Sequence, residues 1–352
     1  MLEFSDIREI RGWFTQRARD SDVVLSSRAR LARNIFGHVF PLMLCAEEEE
    51  LVRDEVLHAV KGLPNADQFD IIYLDRLEPA GRRILLERNI YSQEYSLAPK
   101  KAVAVSHDAA LSVVINDEDH LRLSCVEPGL ALREAHRRAD ELDTALEEEL
   151  HFAASLEWGY LTTSVLNLGT GLRASAMAHL PALAVTNLLD KTVKTAAGMG
   201  LSVKGFFGDG SGSLGDMYQI SNQFTLGTSE EEILSLVGDF MGKVADFERR
   251  ARDDLVSKRR AEMEDRVYRA LGTLRYCRFL SAREAIELLA KVRLGVALGL
   301  LEGLDLETVT PLLFLCQKSH IQKVLNQMDA EVDSKLVDYT RARVIRDALA
   351  GA

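Results

Sequence analysis

The alternation of apolar and polar residues changes character near residue 229. Before it, short apolar runs that alternate with polar residues, as strands do, are separated by turns and by segments with helical spacing. After it the strand pattern ends, and Ser229-x-x-Glu232 forms a capping box that begins a long helix. The sequence therefore predicts an α+β fold, with a mainly antiparallel sheet flanked by helices over 1–228 and an all-helical domain over 229–352.

Individual elements follow from the same spacing. Some regions alternate with a period of two and others repeat every three to four residues. The pattern predicts strands at 69–74, 101–106, 160–168, 201–207 and 217–221, and helices at 5–20, 47–61, 79–88, within 128–157 and at 176–189.

A glycine pattern in the middle of the chain resembles a dinucleotide-binding motif. Gly169-x-Gly171-x-x-Ala174 has the spacing of the dinucleotide-binding fingerprint. That fingerprint needs a second strand that ends at a downstream acid, whereas 182–197 has a helical pattern that runs through Asp190. We therefore do not expect a dinucleotide site here.

An acidic turn, Asp117-Glu118-Asp119, lies between the two apolar runs of 113–126, where one strand is expected to pass to the next. Three adjacent carboxylates repel one another and are relieved by a cation, a metal or a proton. The turn could therefore handle a positively charged substrate group. A solvated acidic turn without a function is the alternative.

Two further segments suggest chemistry on phosphate. Alternation places Arg28 and Arg30 on one face of an extended segment, where their forked donors suit phosphate oxygens. The glycine-rich stretch 208–215 lacks the ending of a P-loop but could move as a lid that carries Asp209. A solvated basic strand and an ordinary Gly/Ser hairpin are the respective alternatives.

Composition narrows the class of protein. With 47% apolar and 28% charged residues, the chain of 352 residues has the profile of a globular protein. Its net charge of −11 argues against general binding to nucleic acid or to anionic membranes. The four cysteines form no C-x-x-C pair, and no signal peptide or long apolar run is evident. We therefore expect a cytoplasmic protein that binds neither nucleic acid nor a membrane.

Together these features match the needs of phosphoryl transfer. A triphosphate needs several cations, and five stand at strand or loop positions: Arg28, Arg30, Arg122, Arg173 and Lys204. Carboxylates such as Glu118 and Asp209 could orient and deprotonate a nucleophile. No metal-ligand spacing is evident, so Mg²⁺ is expected to arrive on ATP, held by phosphates and water.

Four motifs make the chain resemble a known family. Ser26-Ser-Arg-Ala-Arg30, Asn116-Asp-Glu-Asp-His-Leu-Arg122, Asn167-Leu-Gly-Thr-Gly-Leu-Arg-Ala-Ser175 and Lys204-Gly-Phe-Phe-Gly-Asp209 occur in the order seen in the ATP:guanido phosphotransferases. The family's metabolite kinases place a helical domain before the first motif, whereas here the extra helices follow the last. This layout is similar to the bacterial branch that phosphorylates arginine side chains of proteins.

The resemblance implies roles for individual residues. Glu118 would be the general base, Asp209 the carboxylate of the lid, and Asp117 and Ser164 would occupy two further catalytic positions. The implied ATP-binding residues are Ser26, Ser27, Arg28, Ala29, Arg30, Asn89, Arg122, Arg173, Ala174, Ser175, Ala176, Met177, Lys204, Gly205, Phe206, Phe207 and Gly208.

The resemblance also implies partners. Protein substrates with exposed arginines would be phosphorylated and thereby marked for proteolysis by a Clp-type protease, and an activator protein could assist. The helical domain would serve in substrate docking or in forming a homodimer. In this domain Asp338 and Arg341 match part of a phosphoarginine-sensing motif, but its first Arg is replaced by Val337, so sensing is expected to be weakened. An ordinary surface pair is the alternative.

Several departures from the family pattern leave other functions open. Ser164 stands where the family has a reactive Cys, Asp117 and Asp209 replace Glu, and Lys204 replaces Arg. These changes could reduce activity, and they favour a pseudokinase adaptor that binds nucleotide or phosphoarginine proteins as the second hypothesis. A kinase of small guanidino metabolites is the third.

Overall fold

A computed structural model describes residues 4–90, 100–206, 213–328 and 332–350. Its centre is an eight-stranded sheet in which all neighbouring strands are antiparallel, in the order β2-β3-β4-β5-β1-β8-β10-β9. A separate two-stranded sheet pairs β6 with β7. The strands are β1 Val24–Arg33, β2 Phe69–Tyr73, β3 Ala102–Ser106, β4 Leu111–Ile115, β5 Leu121–Pro128, β6 Ala154–Ser155, β7 Gly159–Tyr160, β8 Leu172–His179, β9 Leu201–Gly205 and β10 Met217–Asn222.

Among the described residues, five α-helices are interleaved with the strands and five follow them. The helices are α1 Ala46–Gly62, α2 Pro79–Glu87, α3 Leu132–Glu147, α4 Pro181–Val185, α5 Leu189–Gly198, α6 Glu230–Tyr276, α7 Ala282–Ala297, α8 Leu306–Leu315, α9 Lys318–Val324 and α10 Ser334–Leu349. The order confirms the predicted α+β architecture. Within the described parts of the chain, no helix has the length and apolarity needed to cross a bilayer.

The two faces of the sheet differ in what they bury. On one face Ala29, Leu31 and Ala174 are wholly buried, and α3 and α6 pack over this side. Period-two alternation places the neighbouring residues of these strands on the other face. That second face is apolar only toward β3 and β4, where Val103 and Val114 pack with neighbouring apolar side chains. Its central part carries the predicted cations.

Helix α6 joins the sheet to the helical region. It begins with the predicted capping box, in which Ser229 Oγ accepts from the Glu232 backbone N–H. Its first half packs on the sheet side, where the buried Glu248 carboxylate accepts from the backbone N–H of Ala182 at 3.1 Å. The helix is interrupted at Arg259 (φ −142°, ψ 38°). The boundary at 228/229 remains a prediction, because α6 contacts both regions.

Three predicted elements are wrong. The strand predicted at 160–168 ends at Tyr160 in β7, because the chain then turns into the 3-10 helix Val165–Asn167. Residues 5–20 form two short 3-10 helices, Ile7–Glu9 and Trp13–Thr15, separated by an extended Gly12. The segment 176–189, predicted to be helical, instead completes β8 and then forms the short α4. Its alanines suggested a helix, but they occupy alternate positions and supply the small side chains of the buried sheet face.

Candidate active site

Backbone register gathers four arginines on one face of the sheet. Arg30 of β1 lies directly opposite Arg173 of β8. Arg28 is two residues from Arg30 on the same strand and so shares its face. On the other side of β1, Arg122 of β5 pairs with Ala32, and the side chain of Ala32 is on the same face of the sheet as Arg28 and Arg30. We call Arg28, Arg30, Arg122 and Arg173 the arginine face.

Lys204 lies on the same side of the sheet. It pairs with Gln219 of β10, which pairs with Met177 of β8, which in turn pairs with Ser26 of β1. Ser26 is two residues from Arg28, so these cross-strand partners bring all five predicted cations to one face. Lys204 is exposed on the edge strand β9, at the end of the row.

The arginine face concentrates positive charge that the described residues only partly neutralise. Burial, together with the charges of Arg122 and Arg173, lowers the pKa of Arg28 to about 10. Burial and the same neighbours, Arg28 included, lower the pKa of Arg30 well below its usual value. The Nε atoms of Arg30 and Arg173 are buried and have no hydrogen-bond acceptor among the described residues. An anion with several oxygens would relieve the repulsion and occupy these donors.

Asp117 has a structural position within the acidic turn. Its side chain is fully buried, lies 3.3 Å from Lys101 Nζ and forms an ion pair with Arg122 Nη1. Burial lowers the pKa of Lys101, and Asp117 partly restores it. The carboxylate therefore holds two cations in place and is closed to a substrate. Its predicted catalytic role can only be an indirect one, through the placement of Arg122.

Asp119 fixes the acidic turn to a neighbouring loop. Its Oδ1 accepts from Asn34 Nδ2 at 2.8 Å and from the Thr163 backbone N–H at 2.7 Å. Burial raises its pKa, and these two donors act in the opposite direction. Asp119 therefore links the turn to the segment that carries Ser164.

His120 is a neutral, buried part of the same turn. Its Nδ1 accepts from the Ile35 backbone N–H at 3.0 Å, so its Nε2 carries the proton and donates to the Val39 carbonyl at 2.9 Å. Burial lowers its pKa to about 4, with a smaller contribution from His38. The ring holds the turn in position and is not available for proton transfer near neutral pH.

Glu118 is the open carboxylate of the turn. It is half-buried, and its Oε2 accepts from Asn167 Nδ2 at 3.3 Å. Its charge opposes the lowering of the Arg173 pKa that burial causes, so the carboxylate lies within electrostatic reach of the arginine face. A half-exposed carboxylate beside a phosphate-binding surface can orient a guanidinium and accept its proton.

Ser164 lies three residues before Asn167, whose side chain contacts this carboxylate. It precedes a one-turn 3-10 helix, Val165–Asn167, and its carbonyl accepts from the Asn167 backbone N–H at 2.9 Å. Thr162 Oγ1 donates to the same carbonyl at 2.8 Å. The backbone of Ser164 thus positions Asn167, whose side-chain amide contacts Glu118.

The remaining nucleotide-binding predictions divide into three groups. Ser26, Arg28, Asn89, Ser175, Met177 and Phe206 line one narrow pocket on the arginine side. The side chains of Ser27, Ala29, Ala174 and Ala176 face the buried core on the opposite side, so the structure does not bring them to the site. Gly205 ends β9, and Phe207, Gly208 and Asp209 lie outside the described residues.

Asn89 contributes to this pocket through its backbone. Its φ of +58° is in the left-handed region, which asparagine tolerates better than most residues. In this conformation its carbonyl accepts from Arg28 Nη1 at 3.2 Å. The turn after α2 therefore holds one guanidinium of the arginine face.

Asp338 and Arg341 lie in the helical region, away from the sheet. Arg341 is buried, and its Nε and Nη1 donate to the carbonyls of Cys316 and Leu280, both at 2.7 Å. It also pairs with Asp338. The alternative of an ordinary surface pair is wrong, because Arg341 ties α10 to two neighbouring segments. Phosphoarginine sensing remains a prediction.

Sequence reasoning missed several residues that hold the site. Lys101 and Asn34 fix the acidic turn, Asn167 contacts Glu118, and Ser221 Oγ accepts from Arg173 Nη2 at 3.1 Å. Asn167 lay within a recognised motif and could have been selected on that ground. The other three are distant in sequence from the residues they contact, so only the sheet register reveals them.

Two family models match most of the chain. Residues 51–251 match the family model described as ATP:guanido phosphotransferase, C-terminal catalytic domain. Residues 260–352 match the model described as Protein-arginine kinase McsB C-terminal domain. The two matched segments meet near the interruption of α6 at Arg259.

Curated relatives and solved structures agree with these matches. The protein-arginine kinase of Moorella thermoacetica is 39% identical over 347 residues, which are 96% of this chain and 97% of the relative. That of Halalkalibacterium halodurans is 38% identical over 339 residues, 96% of this chain and 94% of the relative. A crystal structure of lombricine kinase shares the fold with a TM-score of 0.58 at 23% identity, covering 70% of each chain. The duplicated taurocyamine kinase from Schistosoma mansoni gives 0.60 at 22% identity, covering 71% of this chain and 36% of its own. The chain therefore belongs to the protein-arginine kinases, within the ATP:guanido phosphotransferase family.

Proposed function

We propose that this kinase binds the triphosphate of ATP on the arginine face and uses Glu118 to direct an arginine side chain of a protein substrate at the γ-phosphorus. The observation that carries the proposal is the register of β5, β1 and β8, which gathers four guanidiniums beside one open carboxylate. Such an arrangement supplies both requirements of phosphoryl transfer, which are charge stabilisation and positioning.

On the phosphate side, the buried guanidiniums would donate to phosphate oxygens. Arg30 and Arg173 each have a free Nε donor among the described contacts, and Arg28 is held by the Asn89 carbonyl. Mg²⁺ bound to the nucleotide would neutralise further charge on the phosphates. Because Asp117 is occupied by Lys101 and Arg122, Glu118 is the carboxylate that remains open to the guanidinium.

On the acceptor side, Glu118 would accept the proton that the guanidinium loses as its nitrogen bonds to the γ-phosphorus and the bond to the ADP oxygen breaks. Asp209, which lies outside the described residues, is expected to hold the guanidinium from the lid. Ser164 would offer a hydroxyl hydrogen bond where a thiolate would offer a charge. We expect this difference to weaken binding of the guanidinium and to leave the nucleotide site unchanged.

The product would differ sharply from the substrate in charge. Phosphorylation converts a cationic guanidinium into a group with phosphate oxygens, a change that a receptor can read. We propose that proteins so modified are marked for a Clp-type protease, that an activator protein can assist the reaction, and that the enzyme acts as a homodimer through its helical region. Location in the cytoplasm is part of the same proposal.

The decisive experiment measures phosphoarginine by mass spectrometry after incubation with ATP, Mg²⁺ and an unfolded protein rich in arginine. Replacement Glu118→Gln should lower the rate by about 10²–10⁴-fold, because an oriented base is lost. The affinity for ATP and the thermal midpoint should stay close to those of the wild type. Glu141→Gln serves as a matched control, since Glu141 is an exposed carboxylate on α3 that pairs with Arg137.

Each contrary result has a distinct meaning. Wild-type protein that binds ATP but forms no phosphoarginine would favour the adaptor hypothesis, which the Ser164 substitution motivates. Faster phosphorylation of free arginine than of protein would favour a metabolite kinase. A Glu118→Gln variant with full activity would remove the proposed base.

A further inference from the structure

Large apolar side chains are exposed beside the open carboxylate. Val165 and Leu166 belong to the same 3-10 turn as Asn167, which contacts Glu118, and they are 76% and 55% exposed. Single exposed apolar residues are common on protein surfaces and carry no information. These two are adjacent, and both belong to the turn that holds the carboxylate.

A second pair extends this surface. Thr225 Oγ1 lies 2.6 Å from the Leu168 carbonyl and 3.1 Å from the Leu166 carbonyl, which share its one proton. The residues on either side of Thr225, Phe224 and Leu226, are 59% and 40% exposed. The hydrogen bond fixes the two segments together. Val165, Leu166, Phe224 and Leu226 are thus four exposed apolar residues on two joined segments, at the Asn167 side of Glu118.

A smaller apolar group lies on the other side of the acidic turn. Val39 is 50% exposed, and its carbonyl accepts from His120, two residues beyond Glu118. Phe36, on the same connection after β1, is 73% exposed. We call these six exposed residues, Val39 and Phe36 with the four above, the apolar rim.

We infer that the apolar rim binds apolar side chains next to the target arginine in an unfolded stretch of a protein substrate. The inference rests on the proposed function and adds to it a preference for the residues that flank the target arginine. When a guanidinium reaches Glu118, the backbone that carries it passes over the turn, and in an extended chain the residues on both sides would meet the rim. Such apolar neighbours are exposed in an unfolded chain and buried in a folded one.

Charge and continuity favour this occupant. The net charge of −11 attracts a segment that carries arginine. The rim is also attached to the candidate active site through Asn167 and His120. A dimer built on the rim would cover the carboxylate that the substrate must reach.

The test compares two synthetic peptides, each with a single central arginine, one flanked by leucine and valine and the other by serine. The wild-type kinase should phosphorylate the apolar peptide with a kcat/KM about tenfold higher, the discrimination that a few buried methylene groups provide. The double variant Val165→Ser, Leu166→Ser should reduce this ratio toward one. Val39→Ser, on the other side of the turn, should reduce it in part and guards against a folding defect in the double variant.

Tyr276→Ser provides the matched control, because Tyr276 is 79% exposed at the end of α6 in the helical region. It should keep the wild-type ratio.

Equal rates on both peptides, or an unchanged ratio in both rim variants, would overturn the docking inference and leave the kinase assignment intact. No phosphorylation of either peptide would overturn the proposed function and the docking inference with it. A dimer that the double variant converts to a monomer in light scattering would show that the rim is a self-interface.

Discussion

Two arginines on the same strand have opposite surroundings. Arg33 of β1 points into the protein, where its Nε and Nη2 donate to Asp143 at 3.1 and 2.7 Å and its Nη1 donates to the carbonyls of Ala32 and Thr170. Its guanidinium also lies 3.5 Å from the centre of the Tyr160 ring. Arg30, on the other face, has arginines nearby whose charges add to burial in lowering its pKa, and its buried Nε has no acceptor among the described residues.

The difference distinguishes a structural cation, Arg33, whose charge is paired within the protein, from Arg30, whose charge a bound anion would pair. Burying a charge costs free energy unless a partner and hydrogen bonds compensate, and Arg33 has both. Arg341 in the helical region is compensated in the same way, by two carbonyls and Asp338. The arginine face keeps its charges close together at a cost in stability, which a bound triphosphate would offset.

The largest predicted effect compares these two arginines in the protein without nucleotide. Arg33→Met leaves the buried Asp143 unpaired and should lower the free energy of unfolding by about 3–5 kcal/mol. Arg30→Met removes a repelling charge and keeps the side-chain volume, so the free energy of unfolding should be unchanged or higher. Urea denaturation of both variants checks this, and an equal loss in both would show that the arginine face is structural.

A second prediction concerns the pH dependence of stability and the buried His120, which follows the acidic turn. The pKa of His120 is lowered from 6.5 to about 4 in the folded protein, so the unfolded state binds the proton first as the pH falls. Stability should therefore decrease between pH 6.5 and 4, by at most about 3 kcal/mol from this residue.

Comparison of wild type with His120→Gln isolates the contribution of His120. His179 and His320, whose pKa values are also lowered by burial, are present in both proteins. The free energy of unfolding, measured by urea denaturation at intervals from pH 7 to 4.5, should fall less steeply in the variant. Parallel slopes would mean that His120 does not titrate as its buried position implies.

The third prediction concerns ATP. Arg30→Met should weaken ATP binding by about 1.5–3 kcal/mol, or roughly 10–150-fold in Kd, the contribution of a charge-assisted hydrogen bond. Arg137→Met is the control, because Arg137 is exposed on α3 and paired with Glu134 and Glu141. Isothermal titration calorimetry measures both. A change of less than twofold for Arg30→Met would place the triphosphate away from the arginine face.

The sequence predicted the residues of the arginine face but not their arrangement in the sheet. Alternation alone placed Arg28 and Arg30 together, and the family motifs added Arg122 and Arg173. Sequence patterns do not specify which strands are neighbours, so the opposition of Arg30 and Arg173 and the support from Ser221 became visible only in the sheet. The same reason hid Lys101, whose contact with Asp117 joins β3 to the acidic turn.

Errors in the predicted elements have local causes. The alanine-rich stretch around Met177 favours a helix by propensity, and tertiary pairing with β1 and β10 overrides that preference. Asp117 and Glu118 are chemically similar and adjacent, so the sequence assigned both to catalysis. Their difference arises from alternating direction along the chain, which buries Asp117 between Lys101 and Arg122 and leaves Glu118 half-exposed.

The smallest predicted effect tests the acceptor end of the site against the phosphate end. Ser164→Cys introduces a thiol that can ionise near a bound guanidinium, and a hydrogen bond to a charged group exceeds a neutral one by about 1 kcal/mol, or roughly fivefold in kcat/KM for the arginine substrate. The Kd for ATP should not change, because Ser164 connects to Glu118 through Asn167 and contacts none of the arginine face in the described structure. Steady-state kinetics with a protein substrate, together with titration of ATP, measure both quantities. A gain that appears equally in ATP affinity would mean that the two ends are not independent, and the distinction between an anion-binding face and an open carboxylate would then have to be abandoned.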